Sequence, residues 1–536
     1  MKIKCMGAAR TVTGSCFVIE TGKNRFAIDC GMHQGSAEIE KRNLDLSAYR
    51  PEEIDFFLMT HAHIDHSGLL PRMVRNGFRG RIYATPPTRD LLEIMLLDSA
   101  HIQEMEAQWK SRKRLRFGEN GVEPLYTTED AADTLPLFEV VGYKIPFDPA
   151  PGVRVVFQDA GHILGSSLLE VWIEEEGVSR KIVFSGDIGR SSQLLVEDPS
   201  IVEKADFLFL ESTYGNRDHK DETQSLNELA EAISYSYRLG EKVVIPAFAV
   251  ERTQEIIYSL YLLSKQGRLP PDMPVFVDSP LATKATEIFR NHPDYFDRET
   301  RKLLAAGEDP LSLPQLRFTL STQESMSINE LRGPAVVISA SGMADAGRIK
   351  HHLRHNLWRE GASIVFVGFQ AQGTTGRKIV DGAKIIRILN EDIAVKAKVY
   401  TINGFSAHAG RSQILEWVSA FRSPGMQVFL VHGEYSAQES LAAVLRERFG
   451  FSVQIPDYLE EWTLGDGRVE GKAAVPKTPD RFDWDRTLAA VEEQLAYLRS
   501  QRKQLDSGNA AEKSLRQQRI VEAKRILGDL LRKSSP

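Results

Sequence analysis

A histidine-rich motif directly follows an apolar, strand-like segment and constrains the fold more than any other feature of the chain. The motif is HAHIDH, residues 61–66, and the segment before it is DFFLMT. With 13 histidines among 536 residues, such a motif arises by chance on the order of 4 × 10⁻⁴ times in a chain of this length. Three imidazoles and a carboxylate in one loop suit a borderline metal such as Zn²⁺ better than a solvated turn. The motif therefore predicts a metal site with room for two ions.

Four residues cannot complete two metal shells, so further ligands must come from elsewhere in the chain. His162 lies in DAGHILGS, Asp187 in SGDIGR and His432 in VHGE. Each follows a strand-like run and has glycine beside it, which lets the backbone approach closely. Any one of them alone reads more simply as a core or turn residue. Their recurrence in one pattern favours metal ligands.

The arrangement of strands and helices indicates an α/β protein with a discontinuous first domain. Short strands ending in polar loops dominate the first two hundred residues, as in CFVIE, RFAIDCG and KIVFSGD. Strands and helices then alternate over residues 218–398, which predicts a doubly wound inserted domain. VFLVHGE repeats the earlier pattern, so we expect the chain to return to the first domain. The expected boundaries are 1–214, 215–400, 401–472 and 476–536.

Residues 476–536 form a compositionally different segment. Leu488, Val491, Leu495, Leu498 and Leu505 recur at helical spacing, DSGN forms a turn, and a second amphipathic stretch covers 515–531. The segment carries 13 Lys and Arg against 9 Asp and Glu. We expect a helical hairpin used for homodimerisation or docking, with RNA contact as the weaker interpretation.

Composition excludes several classes of protein. Charged residues are 26% and hydrophobic residues 42% of the chain, values typical of globular proteins rather than disordered or fibrous ones. The net charge of −6 gives no global attraction to nucleic acid, although bound metal ions would create a local cationic site. All three cysteines fall within the first thirty residues without CxxC spacing. We expect reduced thiols, no signal peptide, no membrane span and a cytoplasmic location.

Several further segments allow a family to be recognised. Asp29 in AIDCG, together with HAHIDH, His162 and Asp187, resembles the metallo-β-lactamase fold. Glu211 in LFLESTYG, His408 in FSAHAG and the VHGE segment are similar to motifs of the β-CASP insertion of nucleic-acid-processing members. IPAFAVERTQE, VDSPLA, SASGM and VGFQAQGTTGR resemble other segments of that insertion. Over residues 1–470 the chain resembles bacterial and archaeal relatives of the cleavage and polyadenylation specificity factor nuclease subunit.

This resemblance implies an αββα sandwich with an inserted doubly wound β-CASP domain and two zinc ions. One zinc ion would be held by His61, His63, His162 and Asp187. The other would be held by Asp65, His66, Asp187 and His432. Asp29 would orient a ligand, and His408, hydrogen-bonded to Glu211, would donate a proton to the leaving group near its ordinary pKa of about 6.5. The resemblance also implies products with a 5′ phosphate and a 3′ hydroxyl.

Two glycine- and hydroxyl-rich turns of the inserted domain offer contacts for phosphate groups. Their candidate phosphate- or RNA-binding residues are Ser339, Ser341, Gly342, Thr374 and Arg377. Backbone amides, hydroxyls and a guanidinium suit phosphate oxygens. Turns of this composition are also ordinary connections between strands and helices.

The sequence therefore predicts a zinc-dependent ribonuclease acting on single-stranded RNA, as an endonuclease, a 5′→3′ exonuclease or both. Two metal ions would activate water for attack on phosphorus. A non-catalytic RNA-binding or assembly subunit is an alternative that the complete ligand set disfavours. A DNA nuclease of the same fold is another, but in the DNA-repair branch the position of His432 carries an apolar residue. A glyoxalase-like thioesterase would need neither the insertion, expected to narrow the cleft to a single strand, nor the Glu211–His408 pair.

Overall fold

Two mixed β-sheets pack face to face through a row of phenylalanine rings. The ring of Phe17 in one sheet lies 5.7 Å from Phe184 and 5.5 Å from Phe209 in the other, between ring centroids. Phe209 stacks in turn on Phe429 at 4.6 Å. Side chains alternate between the faces of a strand, so each sheet presents one apolar face to the other. These rings form the centre of the core between the sheets.

The computed structural model describes residues 1–115, 120–218, 222–368, 370–371, 373–423, 425–465 and 469–473. The helical hairpin predicted over residues 476–536 lies outside these residues. Cys5, Cys16 and Cys30 are buried and carry free thiols. Within the described ranges, no helix combines the length and the apolar character needed to cross a membrane.

The first sheet, as described, has eight strands with antiparallel pairs on one side and parallel pairs on the other. In spatial order they are Val469–Lys472, Glu461–Leu464, Lys2–Cys5, Phe17–Glu20, Arg25–Ile28, Phe56–Leu58, Arg81–Ala84 and Phe138–Val140. The described part of the second sheet has seven strands. Their order is Ser452–Gln454, Gln427–Val431, Phe207–Glu211, Val178–Phe184, Ser167–Glu175, Val153–Asp159 and Phe147–Ala150. Both sheets combine strands from the two ends of the described chain, as a discontinuous domain requires.

Helices cover the outer faces of both sheets and complete the αββα sandwich. Arg411–Val418 and Tyr435–Phe449 pack on the second sheet through a separate apolar cluster. The first sheet is covered by helices from the N-terminal part of the chain. These are Ile64–Ser67, Leu70–Arg75, Pro86–Leu115 and Thr128–Thr134. The same part of the chain contains the short helix Ala37–Glu40, which has no buried residue, and 3₁₀ turns at Lys41–Leu44, Pro51–Glu53 and Leu135–Leu137. The predicted sandwich is confirmed.

A third sheet lies in the segment expected to be inserted. Its strands, all parallel where described, are Leu316–Phe318, Val275–Val277, Val336–Ser339, Val243–Pro246, Ser363–Phe366 and Lys398–Thr401 in spatial order. Its helices are Glu222–Arg238, Arg252–Lys265, Pro280–Asn291, Arg298–Ala305, Thr322–Glu330, Ile349–Asn356 and Thr375–Val380, with 3₁₀ turns at Pro293–Tyr295 and Asn403–Phe405. A small hairpin, Ile385–Ile388 with Glu391–Ala394, lies beside it. Parallel strands alternating with helices confirm the doubly wound insertion, while the exact domain boundaries stay a prediction.

Local side chains fix where several helices begin. Thr127 and Asp130 form a capping box at the start of Thr128–Thr134, in which each side chain accepts a hydrogen bond from the other residue's backbone amide. Ser279 caps Pro280–Asn291 by accepting from the Ala282 amide. Such contacts satisfy amides that have no partner inside the helix. These local signals agree with the global fold.

Glycines allow the loops at the strand ends to touch backbone to backbone. A Cβ atom at Gly189 would lie 1.6 Å from the carbonyl oxygen of Gly161. A Cβ atom at Gly31 would lie 1.7 Å from the carbonyl oxygen of Asp65. No side chain fits either position. The loops that carry Asp187 and His162 are therefore packed directly against each other.

We expect Gly189→Ala to destabilise the protein by about 1–3 kcal/mol, the usual cost of overpacking, and to reduce metal binding because both ligand loops must separate. The fall in thermal unfolding temperature and the zinc content of the purified variant test this. Gly22→Ala is the matched control, since its Cβ would meet nothing closer than a carboxylate oxygen at 3.8 Å. Equal behaviour of the two variants would contradict the steric argument.

Candidate metal centre and hydrolytic site

The metal-ligand candidates lie just beyond the carboxyl ends of strands, and the structure brings all of them together. The ligand candidates that follow strands in this way are His61, His162, Asp187 and His432, and Asp29, the residue expected to orient a ligand, also follows a strand. His63, Asp65 and His66 come directly after His61 in the same loop and the short helix Ile64–Ser67. The parallel register that pairs Glu211 with Val431 places His432 beside the end of the Glu211 strand. Residues distant in sequence therefore converge because their strands end at one edge.

Four ligand atoms form the first metal-binding group. His61 Nε2 lies 3.0 Å from His63 Nδ1, which lies 3.3 Å from His162 Nε2. Asp187 Oδ2 lies 3.5 Å from His61 Nε2 and 3.6 Å from His162 Nε2. A tetrahedral zinc ion with bonds of about 2.0–2.1 Å holds its ligand atoms about 3.3 Å apart. The donor set and its spacing fit such an ion.

The protonation of the imidazoles in this group suits metal binding. The Thr60 hydroxyl donates to Asp29 Oδ2 at 2.8 Å, so it accepts from His61 Nδ1 at 3.0 Å and leaves the lone pair on Nε2. Burial lowers the pKa of His61 and His162 well below the ordinary value and that of His63 to about 4. Neutral imidazole is the form that ligates metals.

A second group consists of Asp65, His66 and His432, whose ligand atoms lie within 4.8 Å of one another. His66 Nε2 and His432 Nε2 are buried and have no hydrogen-bond partner in the described part of the chain. His432 Nε2 lies 3.5 Å from Asp65 Oδ2. Leaving such atoms without a partner costs about 1–3 kcal/mol each. A cation held among them would remove that cost.

Asp187 lies between the two groups and presents one oxygen to each. Oδ2 faces the first group, and Oδ1 lies 3.4 Å from both His66 Nε2 and His432 Nδ1. Burial would raise the pKa of Asp187, but the neighbouring imidazoles, His432 and His66 foremost, lower that pKa well below its usual range. The carboxylate therefore stays ionised while almost fully buried. Its position suits a ligand shared by two cations.

Asp29 orients the second group without facing it. Its Oδ2 accepts from His66 Nδ1 at 2.7 Å, and its Oδ1 accepts from the Thr60 amide at 2.8 Å. The first hydrogen bond uses Nδ1 of His66 and directs its Nε2 toward Asp187, and the carboxylates of Asp187 and Asp29 raise the pKa of His66 well above its ordinary value although burial opposes this. Carboxylate–imidazole contacts of this kind fix the ring of a metal-ligating histidine. Asp29 has a φ of 58°, an uncommon value outside glycine and asparagine.

Glu211 and His408 form a hydrogen-bonded pair beside both groups. Glu211 Oε1 accepts from the Ile188 amide at 2.7 Å and from His408 Nδ1 at 3.1 Å. Burial lowers the pKa of His408, but the carboxylates of Glu211 and Asp187 raise it more, to about 9. His408 is therefore a cation at neutral pH rather than a group near 6.5, the value expected from sequence. The difference arises because two carboxylates face the ring.

A hydroxyl that the sequence analysis did not single out positions His432. Thr213 Oγ1 donates to the His432 carbonyl oxygen at 3.3 Å and lies 3.1 Å from His432 Nδ1. The hydroxyl thus contacts both the ring and the backbone of His432 and fixes the orientation of the imidazole. Thr213 lies two residues after Glu211 in LFLESTYG. Its position in the same motif as Glu211 is the sequence signal that could have identified Thr213 as a site residue.

The candidate phosphate-binding residues are occupied by contacts within the inserted domain. Ser339 Oγ donates to the Asp278 carbonyl oxygen, and Thr374 Oγ1 caps its helix by accepting from the Arg377 amide. The Arg377 guanidinium pairs with Asp381. Ser341 Oγ contacts Ala346, and the Gly342 carbonyl oxygen accepts from Gln370. A phosphate-binding role for these residues stays a prediction.

A buried acidic residue of the inserted domain reaches the loop of His162. Glu251 is 2% exposed, has a φ of 66°, and its Oε2 accepts from the Leu164 amide at 3.1 Å. Burial and the charge of Glu255 raise the pKa of Glu251 to about 8. Glu255 itself is buried and pairs with Arg190, three residues beyond Asp187, at 2.6 Å. Two contacts therefore join the helix Arg252–Lys265 and its start to the ligand loops.

Three family models match the chain. The metallo-beta-lactamase superfamily model covers residues 9–235, the Beta-Casp domain model covers 253–379, and a Zn-dependent metallo-hydrolase RNA specificity domain model covers 392–456. The fold and the two ligand groups thus define a metal-dependent hydrolase of the metallo-β-lactamase superfamily.

The relatives narrow this class further. Ribonuclease TTHA0252 of Thermus thermophilus is 36% identical over 453 residues, which is 84% of this chain and 96% of that protein. Transcription termination factor FttA of Methanocaldococcus jannaschii is 30% identical over 470 residues, and that of Thermococcus kodakarensis is 31% identical over 477 residues. These alignments cover 86% of this chain and 71% of each factor. The chain belongs to the β-CASP ribonuclease family.

We expect the free energy of unfolding of Glu251→Gln to rise relative to that of the unsubstituted protein as the pH rises from about 4.5 to about 8. Over this range the unfolded chain releases a proton that folded Glu251 retains, so a rise in pH lowers the stability of the unsubstituted protein. Glutamine keeps the acceptor for the Leu164 amide and does not titrate. Thermal unfolding temperatures of both proteins between pH 5 and pH 9 test this, and a constant difference would contradict it.

Proposed function

We propose that this protein is a zinc-dependent ribonuclease that hydrolyses phosphodiester bonds of single-stranded RNA. The observation that carries the proposal is the position of Asp187, with one oxygen on each of two ligand groups. The buried Glu211 and the half-buried His408 form a hydrogen-bonded pair beside both groups. The ribonuclease name of a relative that aligns along 96% of its own length supports RNA as the substrate.

In this proposal each ligand group holds one zinc ion. The first ion would bind His61, His63, His162 and Asp187, and the second would bind Asp65, His66, Asp187 and His432. When bound, two such ions activate water and stabilise the charge that develops on a phosphate. Asp29, Thr60 and Thr213 contact Nδ1 of His66, His61 and His432, respectively, and so orient the rings that would hold the ions.

His408 is proposed to protonate the leaving 3′ oxygen. The hydrogen bond to Glu211 uses Nδ1, so Nε2–H is the group available to a substrate. A pKa of about 9 keeps this proton in place at neutral pH. Because Glu211 is anchored by the Ile188 amide, it fixes the orientation of the ring while the proton is transferred.

A single strand is the proposed form of the substrate because of the cavity that leads to the ligands. Its volume is about 240 Å³, and residues of both the sandwich and the inserted domain line it, including His63, His408, Phe248 and Met343. A duplex is too wide to bring its backbone into such a space. Homodimerisation and a cytoplasmic location stay predictions.

The decisive experiment incubates zinc-loaded protein with single-stranded RNA and DNA, labelled either internally or at the 5′ end, and with the paired RNA. We expect cleavage of single-stranded RNA to fragments with 5′ phosphates, and little cleavage of paired RNA or DNA. Internal fragments identify endonuclease action, and mononucleotides from the 5′ end identify exonuclease action. Failure to cleave RNA would contradict the proposal and favour an RNA-binding subunit, whereas preferential DNA cleavage would favour a DNA nuclease.

Metal analysis tests the two ligand groups separately. We expect Asp65→Asn and His432→Ala each to lose the second zinc ion and most activity while keeping the first. His162→Ala should instead lose the first ion. His101→Ala, an exposed histidine on Pro86–Leu115, is the control and should keep both. Equal zinc content in all four variants would contradict the assignment.

We expect His408→Ala to lower kcat by about 10²–10⁴-fold, the usual contribution of a general acid, with zinc content unchanged. Glu211→Gln should lower kcat by a smaller factor, because the oxygen of the glutamine side chain still accepts from the Ile188 amide. Single-turnover cleavage of RNA together with metal analysis makes the measurement. Activity of His408→Ala within threefold of the unsubstituted enzyme would exclude the role of proton donor.

A further inference from the structure

The cavity that contains the candidate metal ligands also has apolar lining residues. Phe248, Val250 and Met343 of the inserted domain line it, together with Val12 and Ile163 of the sandwich. Phe248 is 44% exposed, although most phenylalanines in folded proteins are largely buried. The exposed ring and the ligand histidines therefore share one enclosed space.

The position of the Phe248 ring is fixed by its surroundings. The residue follows the strand Val243–Pro246, and its carbonyl oxygen accepts from both the hydroxyl and the amide of Thr253, at 2.7 and 3.2 Å. On another side the ring rests on Gly342, where a Cβ atom would lie 2.9 and 3.0 Å from two ring carbons. The backbone of Phe248 is therefore anchored and one side of its ring contacts Gly342, so the ring loses little conformational freedom when its remaining surface is bound.

We propose that Phe248 is the stacking surface for the base of a nucleotide next to the scissile phosphate. This inference rests on the proposed function, since it requires RNA in the cavity. A phosphate placed at the ligand groups leaves the adjoining base inside the same small space, and the exposed aromatic ring offers it a flat apolar contact. Stacking accepts every base, so Phe248 would select for an unpaired base without selecting its identity.

This assignment gives the inserted domain a direct part in substrate recognition. The sandwich supplies the groups that act on the phosphate, and the loop after Val243–Pro246 supplies the contact for the base. A paired base has its faces covered by neighbouring pairs and cannot stack on Phe248. The ring therefore adds to the preference for single strands that the size of the cavity already imposes.

Substitutions of Phe248 separate stacking from simple packing. We expect Phe248→Leu, which keeps apolar volume but no ring, and Phe248→Ala to raise KM for single-stranded RNA about 5- to 150-fold, the range that base stacking on an aromatic side chain provides. The kcat of both variants should change by less than about threefold. Phe248→Trp, which keeps an aromatic ring, should have a KM close to that of the unsubstituted enzyme. Trp358→Ala, an exposed aromatic residue that does not line the cavity, is the control.

An abasic substrate identifies the nucleotide involved. Oligonucleotides that lack one base, placed in turn on either side of the cleaved bond, are cleaved by the unsubstituted enzyme and by Phe248→Leu. At one abasic position we expect KM of the unsubstituted enzyme to rise by the factor by which Phe248→Leu raises KM on intact RNA. KM of Phe248→Leu should not rise further on that abasic substrate. This non-additivity is the signature of a direct contact.

The outcomes distinguish the two proposals. The stacking role would be overturned if the increases in KM from the abasic site and from Phe248→Leu were additive at every position, or if KM of Phe248→Leu equalled that of the unsubstituted enzyme. Neither result would affect the proposed ribonuclease function. An unsubstituted enzyme that cleaves no RNA would overturn the proposed function, and the stacking role with it. Thermal unfolding of each variant ensures that a raised KM does not reflect an unfolded protein.

Discussion

Asp187 is a buried carboxylate on which the whole site depends. It stays charged because imidazoles surround it, and the imidazoles are arranged around it because strand ends and glycine contacts bring their loops together. Moving an ionised carboxylate into the interior is costly unless positive charge or hydrogen bonds compensate. His66 and His432 each point toward the same space a nitrogen that has no hydrogen-bond partner among the described residues. The architecture therefore concentrates binding capacity for cations at one edge of the sandwich.

Much of this arrangement was visible in the sequence because its signals are local. A polar ligand after an apolar strand is read within one short segment, and HAHIDH, His162, Asp187 and His432 all follow that rule. The structure places these residues together, and their role as metal ligands stays a prediction. The αββα sandwich and the doubly wound insertion are confirmed for the same reason, since strand and helix periodicities are properties of short stretches.

Several contacts between distant segments had no signal in the sequence, although the Glu211–His408 hydrogen bond was expected. Thr213 contacts His432, and Glu251 accepts a hydrogen bond from the Leu164 amide, both across long sequence separations. Nothing in the type of either residue indicates such a partner. The raised pKa of His408 also depends on two carboxylates from other strands. The sequence indicates no hydrogen-bond or ion-pair partner for the side chains of Ser339, Thr374 and Arg377. In the structure each has a partner inside the inserted domain. Sequence identifies candidate groups, whereas three-dimensional packing decides which remain available.

The strand Gln427–Val431 pairs with Phe207–Glu211 near the end of the described chain, and this order has a consequence during synthesis. A ribosome completes the residues of the first ligand group long before it makes His408 and His432. The growing polypeptide therefore lacks His432, which completes the second ligand group, and the proton donor His408 while it is still attached to its own messenger. An enzyme proposed to cut single-stranded RNA is thereby assembled in an order that delays its activity until the template has been read past residue 432.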